Sequence, residues 1–102
     1  MNLNQMMKQA QKMKQEMEKK QEELSNRIHD SQSGGGMVTA KVNGRYEVVA
    51  LKIDPEIVKQ GDVEMIEDLV TAAINEGFKK VQEELQQTMS GLMGGLGGLS
   101  GF

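Results

Sequence analysis

Met37-Val-Thr-Ala-Lys-Val-Asn-Gly-Arg-Tyr-Glu-Val-Val-Ala-Leu-Lys-Ile53 decides the fold of this chain. Val38, Ala40 and Val42 alternate with Thr39 and Lys41, the period of two that marks a half-buried strand. Asn43-Gly44 follows at once, and the pair suits a type I′ turn, whose central residues both need positive φ. Tyr46 to Ile53 is the return strand, closed by Asp54-Pro55. The middle of the chain therefore predicts strands over residues 37–43 and 45–53, with Val38 and Val42 facing a core. Just upstream, Arg27–Gln32 and the turn-forming Ser33-Gly-Gly-Gly36 have the layout of another strand and turn. The residues are polar, and periodicity alone leaves them a loop.

Two helical patterns flank this centre. Over residues 3–25, Leu3, Met6, Ala10, Met13, Met17 and Leu24 fall 3 and 4 apart on heptad a and d positions, with Lys20 interrupting. At about 100° per residue these apolar side chains share roughly a 120° sector, while Lys8, Lys12 and Lys19 gather near the opposite pole. The second helix is expected over residues 63–89, with Asp62 as N-cap and Glu64, Glu67 and Asp68 at the positive end of its dipole. Ile66, Leu69, Val70, Ala73, Ile74, Phe78, Val81, Leu85 and Met89 form its apolar stripe, so Leu69 and Ile74 join the predicted core. Gly77 inside it costs up to about 1 kcal/mol relative to Ala and points to a close contact. Residues 90–102 hold 6 glycines and no charge, the composition of a flexible tail.

At 102 residues with 3% aromatics, the chain has room for one domain and a thin core. Sharing a core with a second copy is the usual remedy, so Met13, Met17 and Leu24 on the first-helix seam are candidate dimerisation residues. The absence of cysteine excludes disulfides and thiolate metal sites. No stretch has the roughly 20 apolar residues of a membrane span, and Met1–Gln5 lacks a signal-peptide core. A soluble, cytoplasmic chain is expected. The net charge is −3, yet residues 1–20 set five lysines against two glutamates. An acidic body thus carries one basic arm, made of Lys8, Lys12, Lys14, Lys19 and Lys20.

Other chemistry finds little footing. Methionines at helical spacing are core fillers before they are soft-metal ligands. His29 is the only histidine, has no second ligand beside it, and reads as an ordinary surface residue. Asp54, Glu56, Asp62, Glu64, Glu67 and Asp68 lack the ligand alternation of a calcium loop. With no nucleophile motif and no phosphate-cradling glycine loop between strand and helix, the sequence predicts no enzyme, cofactor, metal or small-molecule substrate.

Met6-Met-Lys-Gln-Ala-Gln-Lys-Met13, Gly35-Gly-Met-Val-Thr-Ala-Lys-Val-Asn-Gly44, Ile53-Asp-Pro-Glu56 and Met65-Ile-Glu-Asp-Leu-Val-Thr-Ala-Ala-Ile-Asn-Glu76, in this order, resemble the YbaB/EbfC family of nucleoid-associated proteins. The resemblance implies an α+β fold, α-β-β-β-α, forming a tweezer-like homodimer over residues 1–89. It also supplies a first strand at residues 27–32. It implies binding to double-stranded DNA in the nucleoid, with effects on DNA conformation and gene expression. Taken alone, the lysines are the solvated face of an amphipathic helix; the resemblance makes them phosphate contacts, with Lys79 and Lys80 of the second helix added. Arg27 and Arg45 are the only arginines, few for guanine recognition, so broad specificity is expected. The rival of another class is a coiled-coil adaptor or chaperone gripping a partner through the same seam. Salt separates the two, since phosphate binding weakens steeply with ionic strength and an apolar seam does not.

Overall fold

Asn2 starts the chain's first helix with a reciprocal cap: its Oδ1 accepts from the Gln5 N–H at 2.8 Å, and Gln5 Oε1 accepts from the Asn2 N–H at 3.3 Å. The computed structural model describes residues 2–100, with side chains through residue 92. Helix α1 (Leu3–Asn26) leads into strands β1 (Ile28–Ser33), β2 (Val38–Asn43) and β3 (Val48–Ile53), then a short helix α2 (Pro55–Gln60) and a long helix α3 (Val63–Ser100). The fold is α+β, with a long helix at either end of a three-stranded antiparallel sheet ordered β1-β2-β3.

Strand β1 is polar for a structural reason. Beside His29, its inward positions are serines whose hydroxyls donate to helix α3: Ser31 to the Ala73 carbonyl at 2.7 Å and Ser33 to the Leu69 carbonyl at 2.5 Å. Buried hydroxyls with partners substitute for apolar contacts. Gly34, Gly35 and Gly36 then turn the chain at φ 59°, 66° and 96°, a run only glycine adopts without strain.

The turn between β2 and β3 differs from the type I′ turn expected of Asn43-Gly44. Asn43 and Glu47 close a three-residue loop: the Asn43 N–H donates to the Glu47 carbonyl at 3.0 Å and the Tyr46 N–H to the Asn43 carbonyl at 3.1 Å. Asn43 Oδ1 also accepts from the Arg45 and Glu47 N–H groups at 2.9 and 3.2 Å. Tyr46, not Gly44, is left-handed, at φ 59°, which costs about 1 kcal/mol. Its ring offsets this by meeting Phe78 edge-on, centroids 5.6 Å apart. Gly44 is needed for room. Its N–H donates to the Ser25 carbonyl at 3.1 Å, and a Cβ there would lie 1.9 Å from the Leu24 carbonyl oxygen. The wider loop delays β3 to Val48 rather than residue 45.

Helix α2 was hidden behind Asp54-Pro55, which reads equally as the end of a strand. Asp54 caps the Glu56 N–H at 2.9 Å, Pro55 takes the first helical position, and Gly61 follows at φ 73°. That order of proline inside the start and glycine past the end is a helix signature. Its Ile57 is buried against Val38, Ala40 and Ala73.

Helix α3 lies across β1 and β2. Ala73, Gly77 and Val81 face the sheet, where Val38 and Val42 are fully buried. Leu69 and Ile74 are partly buried against this core. Met13 and Met17, by contrast, are 55% and 58% exposed and Leu24 is half-buried, so the α1 seam adds nothing to this chain's own core. Only the last turn of α1 touches the body. The radius of gyration is accordingly 20.3 Å, against about 13 Å for a compact chain of this size.

Helix α3 extends to Ser100 instead of ending near Met89. Leu85, Met89, Leu92, Leu96 and Leu99 keep a 4-3-4-3 spacing through the glycines, and a helix already nucleated extends one residue at a time. The flexibility expected of residues 90–102 falls mostly on a stretch outside the described side chains, with Gly101 and Phe102 outside the described residues altogether.

These contacts set opposite outcomes for two glycines. Gly44→Ala should destabilise the fold by about 2 kcal/mol, because only backbone movement relieves the clash. Gly91 has nothing within 4 Å of an added Cβ, so Gly91→Ala should be neutral or stabilise by up to about 1 kcal/mol. Urea unfolding midpoints check both, and a Gly44→Ala protein as stable as its parent would refute the packed turn.

Candidate nucleic-acid interface

Helix α1 presents charge on a rod that its own chain leaves bare. Lys8, Lys12, Lys14, Lys19 and Lys20 are all exposed, and none enters an ion pair among the described residues. Lys8, Lys12 and Lys19 form one ridge, about 6 Å and 10 Å apart along the axis at 1.5 Å per residue. Lys14 and Lys20 lie instead beside the Leu3–Met17 seam, by the same 100° geometry. Unpaired ammonium groups on a rigid helix suit phosphate oxygens, which fix position without reading sequence.

The two lysines of α3 part company. Lys79 is exposed and unpaired among the described residues. Lys80 donates to the Asp30 carbonyl at 2.6 Å and sits 4.0 Å from Glu76, tying α3 to the outer edge of β1. The open face of the sheet, away from α3, carries further cations that the sequence did not single out. Lys41 Nζ lies 2.7 Å from Asp30 Oδ1. Lys41 holds the Asp30 carboxyl below the usual carboxylate range, first by its hydrogen bond and then by its charge. Asp30 therefore stays ionised across the neutral range as the partner of Lys41, and Lys52 and Arg45 join Lys79 as cations of the body unpaired among the described residues.

His29 departs from the surface position expected of it. It belongs to β1, its side chain is 16% exposed, and Nε2 lies 2.7 Å from Glu84 Oε2. Arg27 Nη1 donates to the other oxygen of the same carboxylate. Leu24, Gly44, Val81 and Leu85 line the cleft around this cluster, which is where α1 joins the body. The alternation of Arg27 and His29 carries this signal in sequence, but only once β1 is known to be a strand.

Among the described residues no group of three or more His, Asp or Glu side chains could hold a metal ion, and no helix is long and apolar enough to cross a membrane.

Comparison with known proteins agrees with this geometry. The family model of the YbaB/EbfC DNA-binding family matches residues 1–96. A nucleoid-associated protein of Koribacter versatilis is 48% identical over 101 residues, covering 99% of this chain and 96% of that one. Another, from Pelotomaculum thermopropionicum, is 48% identical over 95 residues, covering 93% and 90%. The crystal structure of the uncharacterized protein HP0035 from Helicobacter pylori superposes with a TM-score of 0.73 at 32% identity, covering 91% of this chain and 98% of that one. The chain belongs to the YbaB/EbfC DNA-binding family.

Proposed function

We propose that this chain is a non-enzymatic, nucleoid-associated protein that acts in the cytoplasm as a homodimer, holding duplex DNA through phosphates with broad specificity and altering its conformation. The observation that carries the reading is α1: a 24-residue helix whose five lysines are unpaired among the described residues and which packs on its own chain only at its last turn. The relatives named above are nucleoid-associated proteins. Arginine readout of guanine has little to draw on here, because Arg27 is committed to Glu84 and Arg45 is the other arginine.

A second copy answers what one chain leaves open. Helix α3 covers β1 and β2, so Val48, Val49 and Leu51 of edge strand β3 are 43%, 54% and 43% exposed. The Phe78 contact with Tyr46 turns the Ile66, Val70, Ile74 and Phe78 flank of α3 toward that strand. The result is an apolar groove ending in an unpaired strand edge, a combination that isolated domains avoid. Two copies related by a two-fold axis would cover both grooves and present the α1 arms as a pair. The seam of Met6, Met13 and Met17 and the Leu85-Met89-Leu92 stripe of α3 then have partners available in the second chain.

Leu51→Lys should convert the dimer to monomer or unfolded chain in analytical ultracentrifugation at low micromolar concentration; a variant sedimenting as the parent would move the interface off β3. Replacing Lys8, Lys12 and Lys19 together with Gln should leave mass and melting unchanged, since the apolar seam lies on the other side of α1. Affinity should fall about equally for unrelated duplexes, and the slope of log K against log salt should shrink by up to about 0.9 for each phosphate no longer neutralised. Gel shifts at several salt concentrations check this, and an unchanged slope would place the phosphate-binding surface elsewhere.

A further inference from the structure

We infer that Glu84 is a positioning residue for DNA binding, its carboxylate clasped by Arg27 and His29 so as to fix the direction in which the α1 lysine arm leaves the body. The inference rests on the DNA-binding reading above and adds a device to it.

Helix α1 is 24 residues long, about 36 Å at 1.5 Å per residue. Its direction is set only where its last turn meets the body. Three contacts act there: the Gly44–Ser25 hydrogen bond, the cleft holding Leu24 with Val81 and Leu85, and the Glu84 clasp. Arg27 is the cap residue that ends α1, and His29 is the second residue of β1. Glu84 stands on α3, so one side chain joins the end of the arm, the start of the sheet and the covering helix. A rotation of about 10° at this joint swings Lys8, about 27 Å along the rod, sideways by about 5 Å. Such a swing takes its ammonium out of hydrogen-bond reach of a fixed phosphate oxygen.

Glu84 is 17% exposed and His29 16%, while Arg27 is 49% exposed, so the carboxylate and the imidazole are largely shielded from water and the guanidinium closes the clasp from the solvent side. Charge alone argues against placing a carboxylate here, because it repels DNA at the base of a basic arm. Neutralising it should tighten DNA binding if electrostatics were its whole role, and loosen binding if geometry is.

Glu84→Ala and Glu84→Gln remove the same charge, but the amide of Gln keeps an acceptor for Arg27 while Ala keeps nothing. Duplex affinity at fixed salt should fall about tenfold for Glu84→Ala, as expected if about a tenth of the arms hold the competent angle, and should stay near the parent for Glu84→Gln. The chain has no cysteine, so spin labels at Gln9→Cys and Thr39→Cys, diluted with unlabelled chain, report the arm-to-sheet distance without DNA. The distance distribution should broaden in Glu84→Ala and stay narrow in Glu84→Gln. Glu84→Ala binding as tightly as Glu84→Gln, or equal distance distributions in the two, overturns the inference. Should Glu84→Ala fail to fold, Glu84→Asp keeps the charge and shortens the reach, and must show both changes against the parent. A parent that binds no duplex at any salt would instead defeat the DNA reading, while the distances would still decide whether Glu84 sets the joint.

Discussion

At Gly77 a hydrogen atom is all that separates α3 from the sheet: a Cβ there would lie 2.9 Å from both Val42 Cγ2 and Ser31 Oγ. That approach lets the Ser31 and Ser33 hydroxyls reach helix carbonyls and buries Val38, Ala40, Val42, Ala73 and Val81 with few large side chains. A small core packed this closely tolerates no added methyl without movement. It also fixes the lateral position of α3, which then covers two strands and leaves the third bare.

The two flanks of α3 divide the molecule's work. The flank toward β3 is apolar and half-open, through Ile66, Val70, Ile74 and Phe78. The flank toward β1 is ionic: Lys80, with Glu76 beside it on the helix, holds the strand edge, and Glu84 meets His29 and Arg27. One surface is left to be covered by association, and the other fastens the arm. Moving α3 by one residue would turn one of these flanks into the core, because each step turns the helix by about 100°.

The alternation of Val38, Ala40 and Val42 and the heptad of α1 were legible because each repeats a single period. The polar β1 was not, because its inward serines are satisfied by a helix more than thirty residues away in sequence, a partner no local pattern contains. The Asn43-Gly44 turn misled for a different reason. Two local preferences competed, and the demand for space beneath Leu24 decided what the glycine was for. The lysines of α1 were legible as a ridge, but their freedom was not: Lys80 and Lys41 are lysines too, and only the fold shows them engaged. His29 was misread because its partner Glu84 stands on α3, beside it in space and far from it in sequence.

A chain of net charge −3 can still favour a polyanion because its charges are sorted along its length. Asp54, Glu56, Asp62, Glu64, Glu67 and Asp68, with Lys59 the only cation among them, cluster in α2 and the start of α3. That region adjoins the Val38 end of β2, where the Asp54 N–H donates to the Met37 carbonyl at 2.8 Å. The root of α1 adjoins the opposite end of β2, at Gly44. The length of a six-residue strand separates them, about 17 Å, or roughly two Debye lengths at physiological salt. The α1 lysines point farther still from the acidic end, along a rod in contact with the body only at its last turn. At the lysine ridge the acidic end is therefore largely screened, and a phosphate there meets the local surplus of cations rather than the net charge of the protein.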